Sequence, residues 1–174
     1  LAGARIDEIA AATQTSKRMI YYYFGSKEGL YLAVLESAYQ RMRETEAELS
    51  LDNLPPEEAL RRLVEFTFDH HQGNPDYIRL VMSENMQRAQ YMAQSKVMRQ
   101  LNEGAIESIR RLYERGVRDG VFRPGLDPVD IHASISALAF FNVSNQHTFG
   151  LIFDRDMQSP VNLALRRASI TDMI

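Results

Sequence analysis

An all-helical fold is predicted by three observations. Apolar residues recur at spacings of three and four in segment after segment, while no segment alternates with period two over a useful length. Helix-start punctuation also repeats along the chain, as Asn74-Pro75, Asp127-Pro128 and Ser159-Pro160. At 174 residues, 45% hydrophobic and 25% charged, the chain can fill one sizeable core and a small satellite domain.

Bulk composition excludes several classes. There is no cysteine, which removes disulfides and thiolate metal sites and suits a reducing, cytoplasmic setting. No apolar run approaches the roughly 20 residues needed to cross a bilayer, and no signal-peptide pattern is visible, so no membrane partner is expected. The net charge is −3, and within residues 1–36 Arg5, Lys17, Arg18 and Lys27 balance Asp7, Glu8, Glu28 and Glu36. Any binding to a polyanion must come from where charge is placed, not from its total.

Taken in order, Ile6, Ile9 and Ala10 form one apolar stripe, predicting a short helix over 6–12. Thr13, Gln14 and Thr15 interrupt it. Ser16 can then cap a second short helix, Lys17 to Tyr23, by accepting a bond from an orphan amide. Two short helices across a three-residue turn make a helix-turn-helix, whose second helix enters the DNA major groove. Three consecutive tyrosines cannot all face a core, so at least one of Tyr21, Tyr22 and Tyr23 must point outward.

A three-helix head needs one more helix over Ile6, Ile9 and the inner face of the second helix. None precedes Ile6 here, so a first helix, expected to be basic, is expected outside the chain that opens at Leu1.

Ser26 can cap a long helix reaching about Leu49, with Leu30, Val34, Ala38 and Met42 along one side. Asp52 to Pro56 is a loop, and Pro56 opens a helix carrying Leu60, Leu63, Val64, Thr67 and Phe68 and ending near Gly73. Asn74 and Pro75 start the next, with Ile78, Val81, Met82, Asn85 and Met86, fraying through Ala89 to Ser95. Met98, Leu101, Ala105, Ile109, Leu112 and Val117 predict a helix of about six turns. Gly104 and Gly116 weaken it by roughly 1 kcal/mol each, and Gly120 stops it. The helix from Ile131 to about His147 is apolar on two faces, one with Ile131, Ile135 and Leu138, the other with Ala133, Ala137, Phe140 and Phe141. Such a helix is buried on more than one side. Ser159-Pro160 starts the last helix, with Val161, Leu165, Ala168 and Ile170 near one side.

The run IAAATQTSKRMIYYYFGSKEGLYLAVL closely resembles the signature of the TetR (tetracycline repressor) family of bacterial transcriptional regulators. The pattern is Ile-Ala, a turn, Ser-Lys, an aliphatic residue, Tyr-Tyr-Tyr-Phe, then Ser-Lys-Glu-x-Leu opening a long helix. Two departures stand out. The family favours Ala-Gly-Val where this chain has Thr13-Gln14-Thr15, so Gln14 is expected to carry strain. Met19 replaces a frequent Thr, which alters the base preference.

The resemblance implies a homodimeric, ligand-responsive repressor that reads a palindromic operator in double-stranded DNA. Its head would span residues 1–28, and residues 29–174 would form a helical effector-binding and dimerisation body. Arg18 can pair bidentately with guanine, Met19 can pack on a thymine methyl, and tyrosine hydroxyls hold phosphates, as the lysine matching Lys27 does in the family. Arg5 and Ser16 complete the candidate DNA-contacting set with Lys17, Arg18, Met19, Tyr21, Tyr22, Tyr23 and Lys27. A small-molecule effector is expected among Phe66, His70, Met82, Asn85, Met86 and Phe140, which offer mostly apolar walls with a few polar groups. The helices near 127–147 and 159–174 are expected to pair with a second copy as a four-helix bundle.

Catalysis is not supported. Adjacent His70 and His71 point to different helix faces and cannot easily chelate one ion, and His132 and His147 stand alone. No H-E-x-x-H, nucleophile elbow or phosphate-cradling glycine loop occurs, so no cofactor and no metal are expected. The competing reading is a helical small-molecule binding protein that has lost operator binding, suggested by the altered turn at Gln14.

Overall fold

The computed structural model describes residues 3–174, which fold as nine α-helices with no strand. They are α1 (Ile6–Ala12), α2 (Lys17–Phe24), α3 (Lys27–Ala47), α4 (Pro56–Gly73), α5 (Pro75–Met86), α6 (Met98–Arg118), α7 (Pro128–Ser144), α8 (Gln146–Ile152) and α9 (Pro160–Met173). The expected starts are seen as hydrogen bonds. Ser16 Oγ accepts from the Met19 N–H at 3.3 Å, Ser26 Oγ from Gly29 at 3.0 Å, and Asp127 Oδ1 from Val129 at 2.8 Å. Asn74 differs. Its side chain makes no bond to α5 and instead donates to the His70 carbonyl at 2.8 Å, closing α4. Pro75 alone supplies the start, with its preset φ.

The core lies where α4 packs on α6, α7 and α9. Leu63, Val64 and Phe68 of α4 meet Ile109 and Leu112 of α6, Ile135 and Ala139 of α7, and Ile170 of α9. Along α3 the buried residues are Leu35, Ala38 and Met42, while Val34 is exposed. The expected row of residues four apart holds at Ala38 and Met42 and departs at Val34, because such a row drifts about 40° per four-residue step at 3.6 residues per turn. In α9 the drift is larger still. Nine positions separate Val161 from Ile170, about half a turn in phase. Ile170 is accordingly buried against the core and Val161 is exposed.

Two connections were not foreseen. α7 stops at Ser144, with Asn145 as its cap, and the chain restarts as α8. After α5 the backbone reverses through Arg88 and Ala89, both left-handed at φ 55° and 57°, into a 3₁₀ turn at Met92–Gln94. Two ties hold this bend: the Met92 N–H donates to Glu84 Oε2 at 2.9 Å, and the Ser95 hydroxyl donates to Glu36 Oε1 of α3 at 2.6 Å. Gly116, expected only to weaken α6, has a packing role. The Phe122 ring lies where a Cβ would stand.

Candidate DNA-reading helix, apolar outer face and inner cavity

α2 is anchored by a single buried residue, Ile20. The opposite side is open: Tyr22 is 78% exposed, Tyr23 69%, and Tyr21 and Met19 are also exposed. Arg18 is exposed and has no ion-pair partner among the described residues. Lys17 is ion-paired with Asp7 of α1, both groups about half exposed. Such a surface pair contributes about 0–1 kcal/mol and yields readily to a stronger anion. Arg5 lies 3.9 Å from Glu8 at the exposed start of α1. Ser16 is engaged as the α2 cap, and partly exposed Lys27 opens α3.

The turn before α2 forms without glycine. Gln14 takes φ 52°, and the Thr15 N–H donates to the Ala10 carbonyl at 2.9 Å. A left-handed non-glycine residue costs about 1 kcal/mol, so the strain expected at Gln14 is present and the motif absorbs it.

α7 and α9 each leave an apolar strip uncovered. Val129, Ala133, Ala137 and Phe141 recur every four residues on the exposed side of α7, and Val161, Leu165 and Ala168 recur at spacings of four and three on α9. Leu151, Ile152 and Phe153, at the end of α8, are exposed as well. Apolar side chains exposed along one side of a helix mark a candidate interaction surface.

A cavity of about 360 Å³ lies between α3, α4, α5, α6 and α7. Among the expected effector residues, Phe140 lines it. Phe66 and His70 do not; they form an aromatic row beside it, 5.7 Å apart, with His70 a further 5.7 Å from Tyr77. Met82 also lies outside the lining, exposed Asn85 spends its amide on the Val81 carbonyl at 2.9 Å, and Met86 is 77% exposed. The lining instead includes Tyr39, Arg43, His71, Tyr77 and His132. Helical phase explains the difference, since each residue turns the side chain by about 100°. His71 faces inward where His70 does not, and Tyr77 and Val81 present the inner side of α5. The missed signal is on α3, where Tyr39, Met42, Arg43 and Glu46 fall at i, i+3, i+4 and i+7.

Burial works against charge on the cavity's histidines, tyrosines and Glu46. Burial, with the nearby charges of His70, Arg43 and His132, pushes the His71 imidazole down to about 4. Burial and Arg43 also lower His70 and His132. Burial raises the Tyr39 and Tyr77 phenols and the Glu46 carboxyl, the last opposed by Arg43. One consequence is a pH dependence of stability. His71 binds a proton more readily unfolded than folded, so its contribution is complete above about pH 6.5 and lost as pH falls towards 4, by about 3 kcal/mol at most. Glu46 titrates with the opposite sign and offsets part of the loss. Urea unfolding at pH 7.5 and pH 5 is expected to show lower stability at pH 5, with a smaller drop in His71→Gln; an equal drop in the variant would remove His71 as the source. Among the described residues no three His, Asp or Glu side chains converge as a metal ion would require.

A helix-turn-helix with an open reading edge, carried on a helical body, defines a DNA-binding regulator. Comparison with known families gives the same class by an independent route. Residues 1–34 match the family described as bacterial regulatory proteins, tetR family, and residues 56–174 match the tetracyclin repressor-like C-terminal domain. The chain belongs to the TetR family of transcriptional regulators, which are DNA-binding proteins and not enzymes. It is 36% identical over 155 residues to the HTH-type transcriptional repressor NicS of Pseudomonas putida, covering 89% of this chain and 73% of that protein. It is 32% identical over 128 residues to the HTH-type transcriptional repressor SCO4008 of Streptomyces coelicolor, covering 72% and 63% respectively. The crystal structure of the putative transcriptional regulator SCO4942 from Streptomyces coelicolor superposes with a TM-score of 0.68 at 28% identity, over 99% of this chain and 85% of that one.

Proposed function

We propose that the protein is a cytoplasmic, homodimeric repressor that reads a palindromic operator and releases it when a small molecule enters the cavity. Residues 1–28 serve as the reading head and residues 29–174 as the sensing and pairing body. The observation that carries this reading is the outward edge of α2, where Arg18, Tyr22 and Tyr23 stand free over a helix pinned by Ile20. Arg18 contacts base edges and Met19 packs on a thymine methyl; Arg5, Ser16, Lys17, Lys27 and the tyrosines set register on the backbone. Two heads are needed because one such motif reads too few bases, and the apolar strip on α7 and α9 supplies the twofold contact.

α3 joins sensor to head. It packs against α2 at one end and contributes Tyr39, Met42, Arg43 and Glu46 to the cavity wall further along. An effector that prefers one pose of α3 therefore shifts the spacing of the two reading helices, and weakens operator binding by its differential affinity.

Arg18→Ala is expected to lower operator affinity by about 1–3 kcal/mol, roughly five- to 150-fold, and to relax preference at one base pair. Folding and pairing should be untouched. Unchanged affinity and sequence preference in an electrophoretic shift series would remove Arg18 from the contact.

A further inference from the structure

One part of the cavity wall is chemically incomplete. The Arg43 and Glu46 side chains, 12% and 11% exposed, are paired through Nη1 and Oε2 at 2.6 Å. Arg43 Nε is nonetheless buried with no hydrogen-bond partner. On α4, His71 is 5% exposed and its Nδ1 is likewise unpartnered. Buried polar atoms are nearly always satisfied, and leaving a charged donor unmet is costly. Neighbouring donors are already spent: the Thr67 hydroxyl donates to the Leu63 carbonyl at 2.8 Å, and the Asn102 amide to the Met98 carbonyl at 2.8 Å.

Glu46 is the one carboxylate in this lining, and it does not cancel the guanidinium's field. Arg43 still disfavours protonation of His70, His71 and His132. The remaining walls are flat rings. Tyr39 and Tyr77 meet edge to face at 5.3 Å, His71 stacks on Tyr77 at 6.0 Å, and Phe140 stands edge-on to His71 at 6.4 Å. At about 360 Å³ the space lies at the small end of ligand pockets, which run from about 300 to 1,000 Å³.

We propose that the cavity takes a small planar aromatic carboxylate, with the carboxylate held by Arg43 and His71 and the ring set among Tyr39, Tyr77 and Phe140. This rests on the cavity being the effector site. An anion placed there favours protonated His71, so binding takes up a proton. The groups facing His71 are His70 on α4, Arg43 and Glu46 on α3, Tyr77 on α5 and His132 on α7, while α6 brings neutral Asn102 to the lining. Affinity for the anion should therefore rise as pH falls from 8 to 6, by at most about tenfold per unit.

The test is a ligand-observed NMR titration of the full-length protein with benzoate, 4-hydroxybenzoate and phenylacetate, each beside its neutral amide. The expected result is that at least one acid binds about tenfold or more tighter than its amide. That preference should grow towards pH 6 and vanish in Arg43→Gln. Equal binding of acids and amides would overturn the carboxylate assignment and leave the cavity as an effector site for neutral molecules. Retention of the preference in Arg43→Gln, folded by circular dichroism, would overturn that assignment equally. Binding by neither series would overturn the assignment and count against the cavity itself. The acid-amide comparison uses the unaltered protein, so it decides the matter even if Arg43→Gln fails to fold.

Discussion

Leu165→Glu is expected to turn the paired protein into monomers and to remove operator binding at working concentrations. Leu165 is 59% exposed on α9, in the strip that includes Val161 and Ala168 and faces away from the core residue Ile170. A glutamate there is solvated in the single chain, so the fold should survive with an unchanged helical signal. In a bundle of α7 and α9 from two copies, the same carboxylate would be buried without a partner. That costs several kcal/mol and raises the dimer Kd by a hundredfold or more. Operator affinity falls with it, because two tethered heads bind far more tightly than one. Sedimentation velocity reads the outcome. A variant that still sediments as a dimer would move the interface away from α9.

The second large effect is on stability. Phe68→Ala should cost about 3–5 kcal/mol, by lost transfer energy and the void left behind. Phe68 is 2% exposed and lies in the core formed by α4, α6, α7 and α9. Against a total stability of about 5–15 kcal/mol, this loss is a large fraction of the whole. Urea unfolding should show a much lower midpoint with little change in slope. A cost below about 1 kcal/mol would mean that the contact between α4 and its neighbours is not the centre of the body.

One of these substitutions lies on the surface and the other in the core, and the contrast shows what was legible in advance. The head was legible because its signals are local: a serine at the starts of α2 and α3, a weakly helical turn, and an excess of tyrosines beyond what one short helix can bury. The helix starts at Pro56, Pro75, Pro128 and Pro160 were legible for the same reason, since proline fixes φ. The cavity was not. Its lining depends on the phase of five helices at once, and an error of one residue exchanges His71 for His70. Arg43 and Glu46, three residues apart on a helix, have the spacing of an ordinary solvated ion pair; only packing places them inside. α8 was missed because Asn145 breaks α7 without glycine or proline. The bend at Arg88 and Ala89 was missed because neither residue type favours the left-handed region it occupies.

The central claim is that a twofold-paired body presents two α2 edges to one duplex. It is tested most directly by measuring how many full-length chains bind a duplex carrying an inverted repeat from upstream of the gene, across a salt series. The expected result is two chains per duplex, with affinity falling steeply as salt rises because Lys17, Arg18 and Lys27 displace counterions from phosphates. One chain per duplex, or binding indifferent to salt, would contradict it.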